Sequence, residues 1–215
     1  MLGLAWLALA AACSALPGNL HLIKALHHPE GTLDSRDRRV QPQPQKVYPL
    51  FDESLWISTA FEGGRLADVR RVGADVELHC RPENSPINDS PWYAFQLWSA
   101  QRRQVRLLLR YFGGTHRYAP WISDDGSSWR RLPGSNHRLL DERRLEITLT
   151  TGARRIWIAA QPLFTNQHMK RWLQGLRARS HARISVVGRS HGGRPIHRLA
   201  LGAKERPRVV ILGRT

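Results

Sequence analysis

The sequence predicts a mainly β protein, in which an antiparallel β-sandwich is followed by the start of an α/β domain. Three observations lead to this fold class. Apolar residues recur with a period of two over much of residues 50–162, a helical period follows near residue 170, and residues 209–212 are all apolar. A period of two places side chains alternately on the two faces of a sheet, so the first region is expected to form strands.

The strand signal consists of alternating stretches separated by residues that favour turns. Four sets of apolar residues are expected to face a sheet interior: Val76, Leu78, Cys80; Tyr93, Phe95, Leu97; Val105, Leu107, Leu109, Tyr111; and Leu145, Ile147, Leu149. The breaks at 82–91 and 124–126 contain Pro, Asn, Asp and Gly. Several short strands of this kind are typical of a sandwich.

Six tryptophans fall within the strand region, and we expect them to belong to the sandwich core: Trp56, Trp92, Trp98, Trp121, Trp129 and Trp157. Exposed aromatic rings beside arginines would instead be suited to stacking on nucleic-acid bases. Apolar neighbours at strand spacing favour the core interpretation.

Beyond residue 162 the period becomes helical. Thr165 is a suitable N-cap, and four apolar residues then share one helical face: Met169, Trp172, Leu173 and Leu176. Two strands, 183–189 and 195–202, follow around a turn at 190–194. The run 209–212 suits a strand covered on both faces. Because the sequence ends three residues later, we expect an α/β domain cut off after its first strands.

Residues 1–17 are uncharged and almost wholly apolar, and Ala10-Ala11-Ala12 fits a signal-peptidase site. Together with Cys13 these alanines also resemble a lipoprotein-type cleavage box. We therefore expect an export signal or lipoprotein-type membrane anchor, and a protein of the bacterial periplasm or cell envelope. The alternatives are a buried helix or a misassigned start codon, and the latter would leave the protein in the cytoplasm. Residues 18–48, with a Gln-Pro repeat, are expected to form a linker.

The formal net charge is +16, and 29 of the 33 basic residues are arginine. Such a surface attracts nucleic acid, anionic membranes or acidic peptides, although a coding bias toward arginine would produce the same composition. The arginines form no continuous block, so we do not expect a nucleic-acid-binding arm. With two cysteines a disulfide framework is not expected, and Cys80 should be a small buried apolar residue.

Two short motifs resemble sites of chemistry. Ser190 lies in a G-x-S-x-G sequence, but that motif needs a helix after the serine, and here a strand pattern follows; we expect a hairpin turn. His27-His28-Pro29-Glu30 contains H-x-x-E, a spacing that suits two zinc ligands, but it falls in the predicted linker, where a solvated histidine is expected. The remaining histidines show no metal-ligand spacing: His116, His137, His168 and His181. We assign no catalytic, cofactor-binding or metal-binding residue within residues 1–215.

Several segments occur in the order known from one enzyme family. They are Phe61-Glu62-Gly63-Gly64, Trp92-Tyr93-Ala94-Phe95, Ser123-Asp124-Asp125-Gly126 with Trp129, and the stretches 161–173, 188–196 and 209–214. Over about 155 residues they resemble M14 zinc carboxypeptidases of the cytosolic-carboxypeptidase-like group. Leu163 departs from the pattern, because tyrosine is usual there.

The resemblance implies an N-terminal sandwich, residues 50–162, followed by the entry helix and first strands of a catalytic domain, residues 165–215. It implies hydrolysis of C-terminal residues from peptides or proteins by zinc, with the metal ligands beyond Thr215 and this portion inactive alone. The charge adds an expected preference for acidic tails. Two other interpretations stay open: a basic sandwich module that binds an anionic polymer or a carbohydrate, and a serine hydrolase fragment that uses Ser190.

Overall fold

The order of elements follows the predicted sequence of sandwich, helix and hairpin. The computed structural model describes residues 42–83, 92–179, 182–190 and 192–202. The described elements are β1 (Val47–Leu50), β2 (Leu55–Ser58), β3 (Asp68–Val72), β4 (Asp75–Cys80), β5 (Ala94–Ser99), β6 (Arg103–Tyr111), β7 (Trp121–Ser123), β8 (Trp129–Arg131), a 3-10 turn (Gly134–Asn136), β9 (His137–Asp141), β10 (Arg144–Thr151), β11 (Ile156–Ala159), α1 (Asn166–Arg179), β12 (Arg183–Arg189) and β13 (Pro195–Ala200).

Several sequence-based predictions concern residues outside these described ranges. They include the apolar segment 1–17, most of the linker, the H-x-x-E motif at 27–30 and the apolar run at 209–212. These stay predictions. Within the described residues, no helix combines the length and the apolar character needed to cross a membrane.

Two sheets enclose the core, as the alternating apolar residues predict. The first sheet has the order β1-β2-β5-β11-β7-β8, and the second has the order β3-β4-β6-β10-β9. Side chains from both sheets form one hydrophobic cluster. All members of the four predicted apolar sets belong to it, and none is more than 4% exposed. The buried Cys80 is a free cysteine, and burial raises the pKa of its thiol to about 12. The mainly β sandwich is confirmed.

One strand pair departs from the antiparallel pattern. Strands β4 and β6 run parallel, with Val76 opposite Leu107 and Leu78 opposite Leu109. The intervening β5 belongs to the first sheet, so the chain crosses between sheets twice and returns in its original direction. Period-two patterning marks which face of a strand is buried but not which strand is its neighbour.

The expectation that the tryptophans form the core is wrong for most of them. All six are only half-buried. Five lie on strands of the first sheet, where the residues next to them in sequence, such as Ile57, Leu97 and Ile158, fill the core. Trp92 is the exception, since it packs against the core cluster. Because successive strand residues face opposite sides, those five indoles lie on the outer face of the sheet.

Helix α1 and the hairpin β12–β13 follow the sandwich. Of the four residues predicted on one helical face, Leu173 is buried, whereas Trp172 is 52% exposed. The prediction that these four residues share one apolar face against the protein is therefore wrong for Trp172, within the part of the chain that the structure describes. Strands β12 and β13 form a separate two-stranded antiparallel sheet.

Candidate functional site

A tight turn at residues 61–64 meets the start of helix α1. The amide of Gly64 donates to the carbonyl of Phe61 over 3.0 Å. A Cβ atom on Gly64 would lie 2.4 Å from the carbonyl oxygen of Thr59, and one on Gly63, where φ is +89°, would lie 3.2 Å from Leu163. Both positions therefore require glycine, which explains the paired glycines of this motif.

Glu62, held by this turn, caps helix α1 from more than 100 residues away in the sequence. Its Oε1 accepts hydrogen bonds from the backbone amide of Asn166 over 3.1 Å and from its side chain over 2.8 Å. Its Oε2 accepts from the amide of Gln167 over 3.3 Å. Burial alone would raise the pKa of Glu62, but these hydrogen bonds lower it below its usual value. A carboxylate at this position satisfies free amides and complements the helix dipole.

Thr165 and His168 form a second cap, so the N-cap prediction is confirmed. The amide of His168 donates to Thr165 Oγ1 over 3.3 Å, and the amide of Thr165 donates to His168 Nδ1 over 3.2 Å. This reciprocal pair has the geometry of a capping box, with histidine in the place of the usual glutamate or glutamine. The first turn of α1 is therefore fixed both locally and by the sandwich.

The turn after β7 is organised by Asp125. Its Oδ1 accepts from the amides of Ser127 and Ser128, each over 2.7 Å. These bonds to Ser128 and Ser127 hold the pKa of Asp125 well below its usual range. Gly126 lies against the ring of Trp157, where a Cβ atom would be 3.2 Å from the indole. Asp125 is thus a turn-forming residue with its oxygens already bonded.

These two turns, helix α1 and the outer face of the first sheet surround a cleft of about 260 Å³. We call it the junction cleft; residues that line it include Glu62, Gln96, Asp125, Trp157, Leu163 and Arg171.

A larger cleft of about 680 Å³ lies at residues 110–113 and 141–144. Its three arginines, Arg110, Arg143 and Arg144, form ion pairs with Glu77, Glu142 and Asp141, respectively. The positive charge lining this cleft is therefore at least partly offset by neighbouring carboxylates.

The serine motif is a hairpin turn, as predicted. The amide of Ser190 donates to the carbonyl of Arg194 over 2.8 Å, and Ser190 Oγ accepts from the amide of Arg194 over 3.1 Å. Strand β13 follows instead of a helix. This geometry does not present Ser190 as a nucleophile.

The histidines examined as metal ligands have separate partners. His116 Nδ1 lies 3.0 Å from the hydroxyl of Tyr111, His137 Nδ1 lies 3.1 Å from the carbonyl of Pro133, and His168 caps α1. His181 lies outside the described residues. In the part of the chain that the structure describes, no three His, Cys, Asp or Glu side chains converge as a metal site. The described histidines therefore do not form a zinc site, and the resemblance implies zinc ligands beyond Thr215.

Some indole faces on the outer sheet surface are already occupied. Trp56 stacks on Trp98 with ring centroids 5.9 Å apart, and the guanidinium of Arg155 lies 4.5 Å from the Trp98 ring. Arg131 lies at the same distance from the Trp121 ring. These contacts give the tryptophans and arginines a role within the sandwich.

Comparison with known proteins agrees with the resemblance. Residues 57–160 match the M14 family described as the cytosolic carboxypeptidase N-terminal domain. Among solved structures, a metallo-carboxypeptidase from Burkholderia cenocepacia matches with a TM-score of 0.58 and 22% identity, over 71% of this chain and 40% of that chain. A metallo-carboxypeptidase from Pseudomonas aeruginosa, in complex with (2-guanidinoethylmercapto)succinic acid, matches with a TM-score of 0.51 and 18% identity, over 66% and 39%. No curated protein gives a significant match.

The structural matches show a shared fold, and the chain spans about 40% of the length of those structures. With the family match, they confirm the resemblance to the N-terminal part of M14 carboxypeptidases. The cap by Glu62 was not predicted, because sequence patterns for helix caps extend only a few residues. Its one sequence signal was membership of the Phe61-Glu62-Gly63-Gly64 motif.

Proposed function

We propose that the chain is the non-catalytic front part of a zinc metallocarboxypeptidase, because residues 57–160 match the family model of the cytosolic carboxypeptidase N-terminal domain. The intact protein would remove C-terminal residues from peptides or proteins. Zinc and its ligands would belong to residues outside this chain, and export through residues 1–17 is part of the same proposal.

The observation that carries the proposal is the fixed connection between the sandwich and helix α1. Glu62 belongs to the matched domain, and its carboxylate accepts hydrogen bonds from Asn166 and Gln167, which follow that domain. A domain that only bound a polymer would have no need to orient a following helix. The role we propose for the sandwich is therefore to hold the entry to a catalytic domain in a defined direction.

A preference for acidic C-terminal tails is the finer part of the proposal. Its support is the net charge of +16, which would concentrate anionic peptides near the protein. Exposed charges separated by more than about 8 Å are largely screened at 0.15 M salt. The preference should therefore weaken as salt rises.

The test compares the intact protein with residues 1–215 on peptides that end in glutamate, leucine or lysine. We expect the intact protein to release the last residue, to lose activity with a chelator, and to favour glutamate most at low salt. We expect residues 1–215 to release nothing and to retain no stoichiometric zinc. Release of the last residue by residues 1–215 would refute the proposal that this chain is non-catalytic. A preference for lysine would refute the acidic-tail proposal alone.

A further inference from the structure

The edge strands of the sandwich differ in how they discourage pairing with another chain. The edges among the described strands are β1 and β8 in the first sheet and β3 and β9 in the second. Strand β1 contains Pro49, β3 carries Arg70 and Arg71 in succession, and β8 has only three residues, two of them arginine. Proline, charged side chains and short length are the usual means by which an edge strand avoids further pairing. These three edges are therefore protected.

Strand β9 lacks that protection at its centre. Leu139 and Leu140 are adjacent there, and they are 52% and 39% exposed. The exposed valines of two other edges, Val47 and Val72, are single residues at the end of their strands. Because an exposed apolar edge presents free backbone groups beside apolar side chains, it is a template for a further strand. Strand β9 is therefore the edge best suited to accept one.

Leu139 ends a row of leucines that crosses the second sheet on its core side. The residues of this row lie opposite one another on neighbouring strands, in the order Leu78, Leu109, Leu145 and Leu139. The first three are at most 1% exposed, whereas Leu139 is about half exposed. A further strand with an apolar residue opposite Leu139 would extend the row and remove this leucine from water. The chemistry of the row therefore favours another leucine at that position.

The charges of β9 indicate the direction of the further strand. The register shifts at Leu140, so Arg138 and Asp141 both lie on the outer face, where they pair with Glu146 and Arg144. The strand is thus basic near its start and acidic at its end. A second copy of β9 running antiparallel places the basic part of each strand beside the acidic end of the other, whereas a parallel copy places like charges together. The charges of β9 are therefore complementary to an antiparallel copy of itself.

We propose that two copies of this chain pair through their β9 strands, antiparallel and about a two-fold axis at Leu139. Each Leu139 packs against Leu139 of the partner subunit, so the row of leucines continues through both copies. Arg138 of each copy lies near Asp141 of the partner subunit. One patch that complements itself is what a two-fold dimer requires. A five-residue strand forms a small contact, so we expect a reversible dimer. This pairing goes beyond the proposed function and needs neither zinc nor hydrolysis.

Sedimentation equilibrium of the chain measures this association. The runs are made at about 0.3 M salt, because two copies with a net charge of +16 repel each other and salt screens that repulsion. We expect dimers to form between about 1 μM and about 1 mM, and Leu139→Lys to raise the dissociation constant about tenfold or more. Val72→Lys is the matched control, since Val72 is 55% exposed on the opposite edge strand, and its dissociation constant should be unchanged. A chain that stays monomeric, or a dimer that Leu139→Lys leaves intact, would overturn the proposal.

A cysteine at the proposed axis tests the register. Directly opposite residues of an antiparallel pair have Cβ atoms about 4.5–5.5 Å apart, which a small adjustment brings within reach of a disulfide. In a chain whose Cys13 is replaced by alanine, Leu139→Cys should therefore form a disulfide-linked dimer under mild oxidation, visible on a non-reducing gel. Val72→Cys in the same background is the control and should cross-link far more slowly; Cys80 is buried and does not compete. Equal cross-linking of the two variants would refute pairing at Leu139.

Discussion

The sandwich and the helix–hairpin segment, which we define as residues 163–202, differ in how far their apolar side chains are buried. In the sandwich, 23 buried residues form one cluster that receives side chains from both sheets. In the hairpin, no residue of β12 or β13 is buried, and Val186, Val187 and Ile196 are between 48% and 59% exposed. The sandwich therefore encloses its own core, whereas the hairpin exposes apolar surface of the kind that other protein elements usually cover.

The two regions also differ in whether their arginines are paired with carboxylates. On the outer face of the second sheet, carboxylates engage the arginines: Arg106 with Asp75, Arg110 with Glu77, and Arg138 with Glu146. Residues 147–204 contain no Asp or Glu at all. There Arg183 and Arg189 donate instead to the carbonyls of Gly202 and Gly193. The carboxylates of the sandwich offset part of its basic charge, while the helix–hairpin segment has no acidic residue with which to do so.

The sharpest test of this comparison is hydrogen exchange on the chain. The amides of β6 should exchange only through global unfolding, and those of β12 through local opening, because a two-stranded hairpin is at best marginally stable alone. Protection in β6 should exceed that in β12 by at least about 100-fold, given typical domain stabilities. Equal protection of the two strands would show that the hairpin is as firmly held as the sandwich.

The sequence predicts the sandwich well because burial on one face of a strand leaves a visible period of two. Val76, Leu107 and Ile147 illustrate this, since each is predicted to be buried and each is completely buried. The parallel pairing of β4 with β6 leaves no such trace. The outward position of the tryptophans was also missed, because indoles at strand spacing suit either face. In the junction, Thr165 was predictable from local spacing, whereas the role of Glu62 depends on a tertiary contact.

A second test removes the contact that joins the two regions. Glu62→Ala takes away the acceptor for the amides of Asn166 and Gln167. It should destabilise the first turns of α1 by about 1 kcal/mol, the usual value of a helix cap. The expected result is faster exchange of the α1 amides. The β6 amides should still exchange with the free energy of global unfolding.

Glu142→Ala is the control for that change, since the Glu142 side chain is 73% exposed and lies on the sandwich. Its α1 amides should exchange as in the unaltered protein. If Glu62→Ala also left α1 unchanged, Thr165 and His168 alone would suffice to cap the helix, and the sandwich would not fix its direction.

The smallest expected effect is the response of the two regions to acid. Glu77 on β4 lies 2.5 Å from His79 Nε2 and 3.2 Å from Arg110 Nη1. Burial alone would raise the pKa of Glu77, but hydrogen bonds from His79 and Arg110 lower it below its usual value. A carboxyl group whose pKa is lowered in the folded state contributes stability above its unfolded pKa of about 4.3. That contribution is lost as the pH falls through the lower, folded pKa.

The sandwich should therefore lose stability between pH 5 and pH 3, and Glu77→Gln should flatten that part of the curve by less than about 1 kcal/mol. Chemical denaturation at each pH measures the change, with Glu142→Gln as an exposed control that should follow the unaltered protein. The hairpin contains no carboxylate, so the free energy of its local opening, corrected for intrinsic exchange rates, should stay constant over the same range. A hairpin that weakened in parallel with the sandwich would mean that the two regions open together, and the contrast between them would fail.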